Sequence, residues 1–175
     1  AMPMTWQKSR KTNDLASAPD KILSAALAYL AKREYSELEL RRKLLGRGAD
    51  EAVVAAVLNS LKDKHYLDDA RYAAAYVRDR REFRPCGVAV LRRELTAKGV
   101  AMELIDTAIE EEYDEERQRQ ALRQLLQKAA AIAPVDDEEQ MVKYRSKVIR
   151  RMLSKGFPQS MVWDEVAFLL TSAGR

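Results

Sequence analysis

The chain has 175 residues, 33% of them charged and 47% hydrophobic, with 31 Lys and Arg against 27 Asp and Glu and a formal net charge of +4. That apolar content suffices for a buried core and excludes disorder as the main state, while six Gly and five Pro favour long helices over strands and turns. A single cysteine, Cys86, excludes an internal disulfide framework or a thiolate metal cluster, and no apolar run reaches the roughly 20 residues of a membrane span. The expectation is therefore a soluble cytoplasmic protein without metal or cofactor, whose mild positive charge suits an anionic partner.

In chain order, residues 1–19 show no sustained apolar period and read as a flexible tail. Beyond them the sequence repeats itself around three glycines, at positions 48, 99 and 156. The first unit, 20–66, opens with the apolar positions Ile22, Leu23, Ala26, Leu27 and Leu30, continues through Leu40 and Leu44 to Gly48, and closes with Val53, Val54 and Leu58. The second, 67–113, runs through Tyr72, Ala73, Tyr76 and Val77, then Leu91 and Leu95 before Gly99, then Leu104, Ile105 and Ile109. The third, 114–173, has Ala121, Leu122, Leu125 and Leu126, then Val148 and Met152 before Gly156, then Met161, Val162 and Val166. Each set has the i, i+3, i+4 spacing of an amphipathic helix, so each unit predicts three helices and no strand.

The punctuation agrees. Each glycine stands where a left-handed residue ends a helix, preceded by Arg47, Lys98 or Lys155 facing the negative end of the helix dipole. Asp68 and Asp69 suit the start of the first helix of unit two, and the run Asp136-Asp137-Glu138-Glu139 suits a helix start in unit three. Pro134 falls between two helical windows and Pro158 at the start of the last helix, where a missing N–H costs little. Three stacked units of this kind predict an elongated, curved all-α array offering a long binding face.

Catalytic signals are weak. His65 is the sole histidine and has no metal-ligand spacing to a second donor, Cys86 lacks a histidine at a recognisable offset, and the acidic stretch 110–116 reads as a solvated junction. No phosphate-cradling glycine loop is present, so the expectation is a protein that is not an enzyme. The basic residues are more telling. The sixth residue before each repeat glycine is arginine, Arg42, Arg93 and Arg150, about 180° around the helix from the apolar stripe. A solvated face competes with a repeated partner contact at these three positions. In unit three, residues 143–156 hold Lys143, Arg145, Lys147, Arg150, Arg151 and Lys155 and no acidic residue, a local charge of +6.

The string Tyr66-Leu67-Asp68-Asp69-Ala70-Arg71-Tyr72-Ala73, followed by Tyr76, Arg80, Leu91-Arg92-Arg93-Glu94-Leu95 and Lys98-Gly99-Val100, resembles the RecX family. Unit one agrees through Ala28-Tyr29-Leu30, Arg33, Ser36, Glu39-Leu40 and Lys43-Leu44, and the resemblance covers about residues 21–173. Unit three matches more loosely, with Ile149 where the other copies have arginine. The resemblance implies tandem three-helix repeats and a negative regulator of the RecA recombinase. Such a regulator would bind in the groove of the RecA–DNA filament and hinder ATP hydrolysis, strand exchange and coprotease activity. Arg71 and Tyr72 are then expected to help hold or present the partner surface. The full partner-binding set expected from sequence is Arg42, Arg71, Tyr72, Arg92, Arg93, Lys98, Lys147, Arg150, Arg151 and Lys155. Single- or double-stranded DNA, bound weakly and without sequence preference, is a secondary expected partner, and the chain is expected to be a monomer. The competing reading is a helix-turn-helix-like protein acting directly on duplex DNA.

Overall fold

The computed structural model describes residues 18–133 and 138–172, with side chains as far as Ala167. The expected tail at 1–17, the Pro134 punctuation and the Asp136 and Asp137 part of the acidic run lie outside the described residues. Among those described, the regular structure is entirely helical. By compactness the chain divides into two units, Ala1–Asp68 and Asp69–Arg175.

The first unit contains α1 (Pro19–Leu30), α2 (Glu37–Leu45) and α3 (Glu51–Asp63). Helix α1 opens on Pro19, whose fixed φ suits a first helical position. The Ser36 hydroxyl accepts from the Glu39 N–H to start α2, and the Asp50 carboxylate accepts from the Ala52 and Val53 N–H groups to start α3. Ile22, Leu40, Leu44, Val54 and Leu58 are fully buried and interlock the three helices. Each such side chain contributes about 1.5–3 kcal/mol.

The second unit holds two further bundles. One comprises α4 (Asp69–Phe83), α5 (Val88–Ala97) and α6 (Met102–Glu112), around Val77, Leu91, Leu95, Ile105 and Tyr113. The other comprises α7 (Glu115–Ala130), α8 (Glu138–Ser154) and α9 (Gln159–Ser172), around Leu122, Leu126, Met152, Phe157 and Val162. Asp114, in the stretch expected to be a solvated junction, caps α7 by accepting from the Arg117 N–H.

The middle helix of each bundle ends identically. Gly48, Gly99 and Gly156 have φ of 79°, 81° and 85°, and the residue after each, Ala49, Val100 or Phe157, donates its N–H five residues back to Leu44, Leu95 or Met152. The glycine N–H reaches the carbonyl three residues back, and the two apolar residues framing the turn are buried together, which completes a Schellman motif. His65 takes the same left-handed position after α3 with φ 57°, the Tyr66 N–H reaching the Leu61 carbonyl. The lone histidine is thus a helix-ending residue on the surface.

Two features bind the second unit internally. The Gly87 N–H, at the start of α5, donates to the Lys155 carbonyl at the end of α8 over 2.9 Å. The backbones approach so closely that a Cβ on Gly87 would overlap the Gly156 carbonyl. In the third bundle, Glu165 of α9 is 3% exposed and receives Arg123 of α7 in a two-pronged contact of 2.7 and 3.0 Å, with Arg119 at 3.4 Å. The Arg123 hydrogen bond, opposed by desolvation, holds the Glu165 carboxyl below the ordinary carboxylate range.

Candidate partner-binding surface

Where a side chain points follows from its angle to the buried stripe. Leu40 and Leu44, Leu91 and Leu95, and Met152 face their cores, and Arg42, Arg93 and Arg150, on the far side of α2, α5 and α8, are exposed. Among the described residues the guanidinium groups of Arg42 and Arg93 take part in no hydrogen bond or ion pair. Arg150 spends its Nε on the Ser146 carbonyl of its own helix at 3.2 Å.

The other sequence-derived residues divide. Arg92 pairs across its bundle with Asp106 of α6 at 2.9 Å, so its charge is shared with the fold. Lys98 lies 5.3 Å from the Tyr76 ring. Arg71 is exposed at the first turn of α4. Tyr72, expected to help hold or present the partner surface, is 3% exposed, packed in the α4–α6 core with its ring centroid 6.1 Å from that of Tyr76. Its spacing from Ala73 and Val77 turns it inward, so of the two expected roles burial leaves it the one of holding α4 in place.

The motif residues Tyr76, Arg80 and Glu94 form a network that joins α4 to α5. Arg80 grips the Glu94 carboxylate at 2.9 and 3.0 Å, and the Tyr76 hydroxyl donates to Glu94 at 2.9 Å. Burial and the bond to Glu94 push the Tyr76 hydroxyl up to about 12. Cys86 is 3% exposed nearby, and burial raises its thiol, which suits a packing role.

Only one group of the expected cations converges. Lys147 and Arg151 of α8 and Lys155 in the turn after it recur every fourth residue, and with Lys128 of α7 they frame a cleft of about 320 Å³ between the two helices. Arg150, one residue from Arg151, does not line it. Sequence reasoning missed Lys128. The available signal was its place on α7 beside Leu125 and Ala129, at i, i−3 and i+1, but nothing local pairs α7 with the basic run of α8.

The surface offers cations and apolar area for binding. Among the described residues no cluster of His, Cys, Asp and Glu could hold a metal ion, and no helix is long and apolar enough to cross a membrane.

Comparison with known proteins places this architecture. Residues 23–61 match the first three-helix domain of RecX and residues 68–109 the second. The Regulatory protein RecX of Leptothrix cholodnii is 35% identical over 137 residues, covering 78% of this chain and 82% of that protein. The Regulatory protein RecX of Geobacillus kaustophilus is 32% identical over 142 residues, or 81% of this chain, which spans only about half, 51%, of that relative's length. The crystal structure of RecX from Lactobacillus salivarius superposes with a TM-score of 0.76 at 24% identity over 86% of this chain and 96% of that one, a likeness of fold. With its three-helix bundles, its Tyr76–Arg80–Glu94 network and these relatives, the chain belongs to the RecX family of regulatory proteins.

Proposed function

We propose that the chain is a negative regulator of the RecA recombinase. It lies in the groove of the RecA–DNA filament in the cytoplasm and, by occupancy alone and without catalysis of its own, inhibits ATP hydrolysis, strand exchange and coprotease activity. One observation carries the reading: in three bundles an exposed arginine, Arg42, Arg93 or Arg150, recurs at the same step before the glycine that ends the helix, and the first two are not neutralised by any described acid. Solubility alone does not require the same residue type three times. A bridge across successive filament protomers needs equivalent contacts at intervals, which a repeated arginine supplies.

The test is a triple charge reversal, Arg42→Glu, Arg93→Glu and Arg150→Glu, with the single variants alongside. Exposed positions of this kind shift stability by about 0.5 kcal/mol or less each, so helicity by circular dichroism should stay native. Inhibition of RecA ATPase should fall severely, with Arg93→Glu the most damaging single change, because reversal replaces attraction by repulsion at a charged interface. Native helicity with undiminished inhibition at physiological salt would reduce these arginines to a solvated face.

The basic run of α8 also supports a second reading, direct binding of the chain to duplex DNA. Gel-shift competition separates the two: a repressor prefers one duplex sequence, while the filament regulator binds DNA weakly, indifferently to sequence, and depends on RecA for its effect.

A further inference from the structure

Several basic residues elsewhere in the described chain are neutralised along their own helices. Lys143 pairs with Glu139, Arg119 with Glu115 and Arg41 with Glu37, each four residues apart. Around the α7–α8 cleft four cations converge without such pairing. Lys128, Lys147, Arg151 and Lys155 make no ion pair among the described residues, and the last three follow one another at four-residue steps along α8 and the turn that ends it. Like charges at this spacing weaken a helix by a few tenths of a kcal/mol per pair. The fold gains nothing visible in return. An anionic partner would turn that repulsion into attraction.

The floor decides which anion. Leu125, Ala129, Ile132, Val148 and Met152 line the cleft with apolar surface, Ile132 being 76% exposed at its edge. The one hydroxyl there, on Tyr144, already donates to the Ala129 carbonyl at 2.9 Å. The spacing of the cations, about 6 Å per helical turn, matches both the phosphates of a single strand and acidic side chains on alternate residues of an extended peptide, about 6.8 Å apart. A nucleobase placed in the cleft would bury polar edges against an apolar floor whose one hydroxyl is already used, and the lining offers a single aromatic side chain, Tyr144, where single strands stack successive bases on several. An aliphatic or aromatic side chain asks only for apolar contact, and about 320 Å³ lies at the small end of ligand sites, enough for one or two such side chains.

We propose that the α7–α8 cleft is a docking site for an acidic peptide segment that inserts an apolar anchor side chain against Val148 and Met152 while its carboxylates meet Lys128, Lys147, Arg151 and Lys155. The site shares Lys147, Arg151 and Lys155 with the cations expected to meet the filament, but it does not rest on that role and is tested without RecA. The full chain is titrated into a fluorescently labelled synthetic peptide of about a dozen Asp and Glu residues with a Leu-Phe pair at its centre. The same peptide with Ala-Ala at the centre and a labelled oligothymidylate of similar length serve as competing probes. The anchored peptide should bind about tenfold or more tightly than the Ala-Ala peptide and than oligothymidylate. The double variant Lys147→Glu with Arg151→Glu, checked by circular dichroism, should weaken it by about tenfold or more. Ala129→Leu, which fills the cleft without changing charge, should reduce the anchored peptide to the level of the Ala-Ala one. Equal affinity for the two peptides, tighter binding of oligothymidylate, or no peptide binding would each overturn the proposal.

Discussion

Gly87 and Gly99 invert the usual expectation about which glycine matters. Gly99 has φ 81° and is exposed, so Gly99→Ala places a Cβ in the left-handed region but into solvent, at a cost of about 1–2 kcal/mol. Gly87 has φ −78°, a conformation that any residue adopts, yet its Cβ would fall on the backbone of Gly156, which is itself held against Val90. Two backbones cannot yield as a flexible side chain can. Overpacking of about 1–3 kcal/mol, plus about 1 kcal/mol for a weakened Gly87 to Lys155 hydrogen bond, puts Gly87→Ala at about 2–4 kcal/mol. For a chain of this size that lowers the melting temperature by roughly 4–16 °C, at about 2–4 °C per kcal/mol. Urea unfolding followed by circular dichroism reads the difference directly, with Gly99→Ala as the reference. The loss should fall on the unit that carries α4–α9. If Gly87→Ala unfolds within about 0.5 kcal/mol of the parent, or costs less than Gly99→Ala, the close approach of α5 to the end of α8 is wrong.

Two further outcomes follow from buried polar groups. The Tyr113 hydroxyl is fully buried without a hydrogen-bond partner among the described residues, and desolvation drives its ionisation far above the ordinary tyrosine range, so Tyr113→Phe should stabilise the chain by about 1 kcal/mol in urea titration; destabilisation of that size would reveal a partner for the hydroxyl. The Glu165 carboxyl is held below its unfolded range chiefly by Arg123, so it binds its proton more weakly folded than unfolded, and its contribution is full above the unfolded carboxylate range and fades as pH falls through the folded value. Glu165→Gln should therefore lower the melting temperature at neutral pH, with a difference that shrinks towards acid. A gap that stays constant from pH 7 to pH 3 would show that the Arg119 and Arg123 contacts do not act through charge.

The helices were legible because their signals are local. Leu40 with Leu44 and Leu91 with Leu95 mark a buried stripe at the period of one helix, and glycine after a basic residue marks its end, so the left-handed turns at Gly48, Gly99 and Gly156 could be placed from sequence. The exposure of Arg42, Arg93 and Arg150 follows from the same angle. Tyr72 shows two signals side by side: the motif named it for the partner set, while its spacing to Ala73 and Val77 had already turned it inward.

The rest depended on elements far apart in the chain. Glu165 reads as one acid in a helix start, and only the packing of α9 on α7 makes it the receptor of Arg123. Gly87 reads as a helix opening, and only the arrival of Gly156 makes its missing side chain necessary. Lys128 reads as a solvated lysine, and only the apposition of α7 and α8 adds it to Lys147, Arg151 and Lys155 around one cleft. Periodicity determined which face of each helix is buried, because burial depends on angle about a single axis. Which buried faces meet, and which charges converge at their edges, depends on how side chains from distant segments interlock, and that was decided only by the tertiary structure.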